Sequence, residues 1–112
     1  MSASGHSALQ FLSFELSEDT DGVCTLDAEA STAPDQAPAV MAEVHQVLEW
    51  ARQRFAASEG PLDEGHDWQH EVHTRTEAGR DHDWHTVALT LSASPRFVDA
   101  FRRRFGANLA DA

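Results

Sequence analysis

Residues 65–92 read GHDWQHEVHTRTEAGRDHDWHTVALTLS, and the period of this stretch decides the fold. Trp68, His70, Val72 and Thr74 alternate with Gln69, Glu71, His73 and Arg75. Further on, His85, Val87, Leu89 and Leu91 alternate with Trp84, Thr86, Ala88 and Thr90. Successive side chains of a strand point to opposite faces, so a period of two marks strands that bury one side. Ala78-Gly79 supplies a turn between the two runs, and the stretch is predicted to be a β-hairpin.

The same signature occurs earlier. Over residues 9–17, Leu12, Phe14 and Leu16 alternate with Phe11, Ser13 and Glu15. After the turn-forming run 18–22, Cys24, Leu26 and Ala28 alternate with Thr25, Asp27 and Glu29. A five-residue loop places Leu16 opposite Cys24 and Phe14 opposite Leu26, so the apolar faces coincide.

Each hairpin is followed by a helical period. Val40, Met41, Val44, Val47, Leu48, Ala51 and Phe55 form one stripe over residues 38–57, with Asp35 as the expected N-cap and Gly60-Pro61 as the stop. Ser94-Pro95 opens a second helix whose inner stripe is Phe97, Val98, Phe101 and Phe105, and Gly106 closes it. The order is β-β-α-β-β-α. The expected fold is a single α+β domain over 1–112, a two-layer sandwich with a four-stranded antiparallel sheet and both helices on one face. Residues 1–7 and 107–112 are expected to be flexible.

Composition bounds the function. Nineteen acidic residues against eight arginines and no lysine give a net charge of −11. Residues 1–94 carry −13 and residues 95–112 carry +2. Phosphate backbones are bound by clustered cations, so nucleic acid is not an expected partner. No apolar run reaches the ~18 residues that span a bilayer, and the first ten residues lack the basic start and apolar core of a secretory signal. A cytoplasmic, bacterial protein is expected, with no membrane partner. Cys24 is the single cysteine, which excludes an internal disulfide and multi-cysteine zinc sites.

Residues 65–92 also hold five of the seven histidines and a repeated phrase, His66-Asp67-Trp68 and His82-Asp83-Trp84. Strand parity divides the histidines. His66, His70 and His85 fall with Asp83 on the apolar face, while His73 and His82 fall on the other. With a two-residue turn, His70 and His85 become diagonal neighbours, with Asp83 one same-face step away. Two imidazoles and a carboxylate can hold a zinc-like ion with open positions, which makes His70, Asp83 and His85 the candidate metal ligands. The plainer expectation is that these histidines hydrogen-bond to nearby carboxylates and carbonyls and that no cofactor is used. The chain carries no nucleophile elbow and no glycine-rich phosphate loop.

The uncovered sheet face is the other candidate. It is expected to present Phe11, Val23, Thr25, Trp84, Thr86, Ala88 and Thr90, with Phe11, Val23, Trp84 and Ala88 as the interface residues. The sequence therefore points to a small acidic module that binds a protein partner or a second copy of itself, a homodimer. A metal-binding protein or metal-dependent enzyme is the alternative.

Overall fold

A computed structural model describes residues 9–111. The elements are β1 (Phe14–Glu18), β2 (Cys24–Thr32), α1 (Ala37–Arg54), β3 (Trp68–Glu77), β4 (Trp84–Ala93), α2 (Pro95–Phe105) and β5 (Leu109–Asp111). They form an α+β fold in which two helices pack on a five-stranded sheet of order β3-β4-β2-β1-β5. The expected four antiparallel strands are present, but β5 adds a fifth, parallel to β1 with Leu109 opposite Phe14. The sheet is therefore mixed. A three-residue strand is too short to show a period, which is why residues 109–111 read as loose chain. The expected flexibility of residues 1–7 lies outside the described residues.

Both hairpins keep their expected parity while their registers move. In the first, Leu16 pairs with Leu26 and Phe14 with Ala28. The Asp19 carboxylate accepts from the amides of Asp21 at 2.9 Å and Val23 at 3.0 Å. This Asx turn places the five-residue loop at 19–23, one residue later than expected. In the second, the loop spans residues 78–83. At Gly79 the carbonyl of His82 comes within 2.3 Å of where a Cβ would stand, so only glycine lets the loop fold back so tightly.

Inward positions of the strands and the stripes of both helices make one core. Phe14, Leu26, Val87, Leu89, Leu91 and Trp68 are fully buried on the sheet side. Val40, Val44, Val47, Ala51, Phe97 and Phe101 meet them from the helices. Aromatic rings fill the junction. Trp50 stands edge-on to Phe97 at 5.4 Å and Phe105 at 5.4 Å, and Trp68 stacks on Phe97 at 5.8 Å. Edge-on and offset contacts suit the ring quadrupoles and add to the area buried.

The helix termini follow two different routes. Ser94 caps α2 as expected, accepting from the Phe97 amide at 3.2 Å. The N-cap of α1 is Gln36, and Asp35 lies in a preceding 3-10 turn. At its other end α1 closes at Phe55, and the left-handed residue beyond is Ala57, with φ of 62°, not Gly60.

Glu43 was hidden by its position. It is buried on α1, and its carboxylate accepts from three successive amides: Gln10 at 2.5 Å, Phe11 at 3.0 Å and Leu12 at 3.0 Å. Consecutive N–H groups converging on one anion form a nest, here filled by the protein's own carboxylate. Leu9 and Leu12 are thereby seated in the core, and β1 starts at Phe14 instead of extending back to residue 9.

Glu43→Ala is expected to cost about 3 kcal/mol, because it strands amides that a charged acceptor had satisfied. Urea denaturation reads the loss, and amide exchange at Gln10, Phe11 and Leu12 accelerates in the same variant. Glu49→Ala, on the exposed face of the same helix, changes stability by about 0.5 kcal/mol or less. Ala57→Gly stabilises the chain by about 0.5 kcal/mol, since relief of left-handed strain outweighs the added backbone entropy.

Candidate functional site

The strands bury one face against the helices, and among the described residues the other face is left open. Strand register aligns the open-face residues into rows across the sheet. One row runs Ala110, Glu15, Asp27, Thr90, Glu71, from β5 to β3. Glu15 and Asp27 stand directly opposite each other on β1 and β2. Cross-strand neighbours have Cβ atoms roughly 5 Å apart, and like charges at that spacing destabilise a sheet. Thr90 donates its hydroxyl to Asp27 at 2.8 Å. Glu29 lies one same-face step from Asp27, and a shallow depression of about 460 Å³ opens over Ser13, Glu15, Asp27, Glu29, Ala88 and Thr90.

Charge at the β3 side is more balanced. Arg75 lies 3.5 Å from Glu29 and 3.8 Å from Glu77, and His73 lies 3.1 Å from Glu71. All of these groups are more than half exposed, so each pair contributes little to stability.

The four expected interface residues fall in different places. Ala88 lines the depression and is half-buried. Trp84 is 44% exposed at the far end of β4, with the His82 ring 4.5 Å from its own. Phe11 packs against the core ahead of β1. Val23 sits in the β1–β2 loop, held by Asp19. The face is acidic where a mixed apolar surface was expected. The signal was present in the sequence: Glu15, Asp27 and Glu29 share the parity of Thr25.

The histidines are dispersed by the six-residue loop. His70 pairs with Leu91 and His85 with Thr76, so the two are not diagonal neighbours. They stand three same-face steps apart, roughly 20 Å along the strand. His70 bonds instead to Glu59, with Nδ1 2.6 Å from the carboxylate, and stacks on Trp68 at 6.0 Å. His85 Nδ1 lies 3.3 Å from the Thr76 hydroxyl, and Asp83 is exposed in the loop. Among the described residues no three His, Cys, Asp or Glu side chains converge as a metal-holding group.

Cys24 is buried, and burial first, then the charges of Glu18 and Asp19, push its thiol pKa up. It is held as an unreactive thiol. Among the described residues no helix is long and apolar enough to cross a membrane.

Asp67, from the first copy of the repeated phrase, has a structural role that its neighbours in sequence did not reveal. Its carboxylate accepts from Ser58 Oγ at 2.7 Å, from Ser94 Oγ at 2.8 Å and from the Arg96 guanidinium. Its carbonyl accepts from the Ser94 amide at 2.8 Å, and its amide donates to Ser58 O at 3.0 Å. The loop after α1, the start of β3 and the start of α2 are thus tied at one side chain. The Arg96 hydrogen bond, followed by that of Ser58, lowers the Asp67 pKa to about 2. Asp83, its counterpart in the second copy, is exposed on the loop.

Comparison with known protein families, with curated proteins and with solved structures finds no match.

Asp67 makes stability depend on acid. Its folded pKa lies below the unfolded value of 3.8, so its contribution is complete above about pH 5 and is lost as pH falls through about 2. The contribution is about 1–2 kcal/mol once solvent screening at exposed Arg96 is allowed for. In urea titrations at stepped pH, the deficit of Asp67→Asn relative to wild type is constant above about pH 5 and shrinks toward pH 2.

Proposed function

We propose that the chain is a non-enzymatic binding module whose open sheet face docks a basic polypeptide segment. The observation that carries this reading is the Glu15–Asp27 pair, two carboxylates facing each other across neighbouring strands on the side the helices leave bare. Such a pair costs stability in the free protein. A guanidinium or ammonium group lying between them would convert the repulsion into charge-assisted hydrogen bonds. Glu29, and Glu71 two strands away in the same row, extend the acidic surface around the depression. An extended peptide presents alternate side chains about 6–7 Å apart on one side, a spacing that suits carboxylates on adjacent and next-adjacent strands.

A fluorescein-labelled nona-arginine peptide provides the test, with affinity read by fluorescence anisotropy. Glu15→Gln with Asp27→Asn is expected to weaken binding about fivefold to tenfold. Glu49→Gln with Asp99→Asn removes the same charge from the exposed sides of the helices and should change affinity less than about twofold. Equal losses in the two variants would mean that net charge alone attracts the peptide, and the reading fails. The Glu15→Gln, Asp27→Asn protein is also expected to be more stable than wild type by about 0.5 kcal/mol in urea, because the opposed charges are gone.

A further inference from the structure

We propose that two copies of the chain pair along the outer edge of β3, antiparallel about a two-fold axis through His73, to form one ten-stranded sheet. This goes beyond the acidic-face reading and does not rest on it: the pairing uses the outer edge of β3 and shares only Glu71 with that face.

Among the described residues β3 ends the sheet, with β4 as its one strand neighbour. All ten of its residues pair one-to-one with β4, without a bulge, and it contains no proline. At its start the outer edge is occupied: Glu59 bridges Trp68, and the Gly60 amide donates to the Trp68 carbonyl at 2.8 Å. The open edge therefore runs over residues 69–77. An edge of that length offers a row of backbone donors and acceptors to another strand; bulges and prolines, two of the usual protections, are absent, which leaves the charges of Glu71, Arg75 and Glu77 to select the partner.

The side chains select the register. A two-fold axis perpendicular to the sheet keeps the helices of both copies on the same side. It also requires residues of like parity to face each other. With the axis at His73, the middle of the open edge, residue 73 − n faces residue 73 + n of the other copy. Glu71 then faces the partner's Arg75, and Arg75 faces the partner's Glu71. Val72 faces the partner's Thr74, and Gln69 faces the partner's Glu77. Two opposite-charge pairs form, and no like-charged acids meet. Moving the axis to Thr74 sets Glu71 against the partner's Glu77. Moving it to Val72 sets Thr76 against the partner's Trp68, whose edge is already filled. Arg75 and Glu71 are 57% and 67% exposed within one copy, and their exposed pairs with Glu29, Glu77 and His73 are weak enough to exchange for a partner strand's charges.

Sedimentation equilibrium on the full chain, from micromolar to millimolar concentration, tests the proposal. A dimer mass is expected for wild type. Arg75→Glu alone and Glu71→Arg alone each create two like-charge pairs and should weaken the dimer at least about tenfold. Combining the two substitutions restores opposite charges and should restore the dimer. A monomer mass at every concentration overturns the proposal, as does a species larger than a dimer. A dimer indifferent to the single reversals, or one not rescued by the double variant, also overturns it. Far-UV circular dichroism confirms that each variant is folded, as substitutions at exposed positions should allow. The Glu15→Gln, Asp27→Asn protein retains the dimer, so loss of peptide binding and loss of dimerisation are separate results.

Discussion

The Asp67 carboxylate fixes the register of the outer hairpin, and much of the molecule's surface chemistry depends on that register. By holding Ser58, Ser94 and Arg96 at once, it sets where β3 starts against the end of β4 and where α2 leaves the sheet. The Ser94 amide on the Asp67 carbonyl continues the ladder one pair beyond Trp68 and Ala93. A slip of β3 by one residue would turn Trp68 and Val72 away from the core, while β4 stays registered on β2. A slip by two would keep them in but pull Ser94 away from Asp67. Hydrophobic burial therefore decides parity, and one carboxylate decides among the registers that parity allows.

This division explains what could be read in the sequence. The inward faces of β2, β3 and β4 and the stripes of both helices follow from period alone, because each buried side chain repeats the same choice. Ser94 as a cap follows from its place before Pro95. Register does not follow in the same way. The loop at 78–83 closes through a backbone approach at Gly79, and turn residues alone allow several loop lengths. A two-residue turn would bring His70, Asp83 and His85 together, and the six-residue loop sets them apart. By period Glu43 belongs with the polar residues off the α1 stripe, yet it is buried. Only the fold shows three amides from residues 10–12 arriving at it.

Charge is divided across the two layers in a way the linear sequence half-conceals. Arg52 and Arg54 close α1, while Arg96, Arg102, Arg103 and Arg104 lie on α2. Glu15, Asp27, Glu29 and Glu71 lie on the opposite side of the sheet. The basic ends of both helices favour the helix dipoles, and several guanidiniums rest on aromatic rings: Arg54 and Arg96 on Phe55, Arg104 on Phe105. The net charge thus understates how negative the sheet side is. A field of this kind orients an approaching cation before contact.

Asn108 carries a different consequence. Its amide group donates to the carbonyls of Leu9 and Leu12, at 3.0 Å and 3.3 Å, across nearly the whole length of the chain. Glu43 grips the same segment from a helix much nearer in sequence. As the polypeptide leaves the ribosome, residues 9–12 find the α1 carboxylate early, but their second clamp and the β5 neighbour of β1 come only with the last-made part of the domain. A segment made before either helix is therefore fully locked only after both. Until then β1 has an unpaired side, and the carboxylate of Glu43 acts as the placeholder that keeps the strand in position.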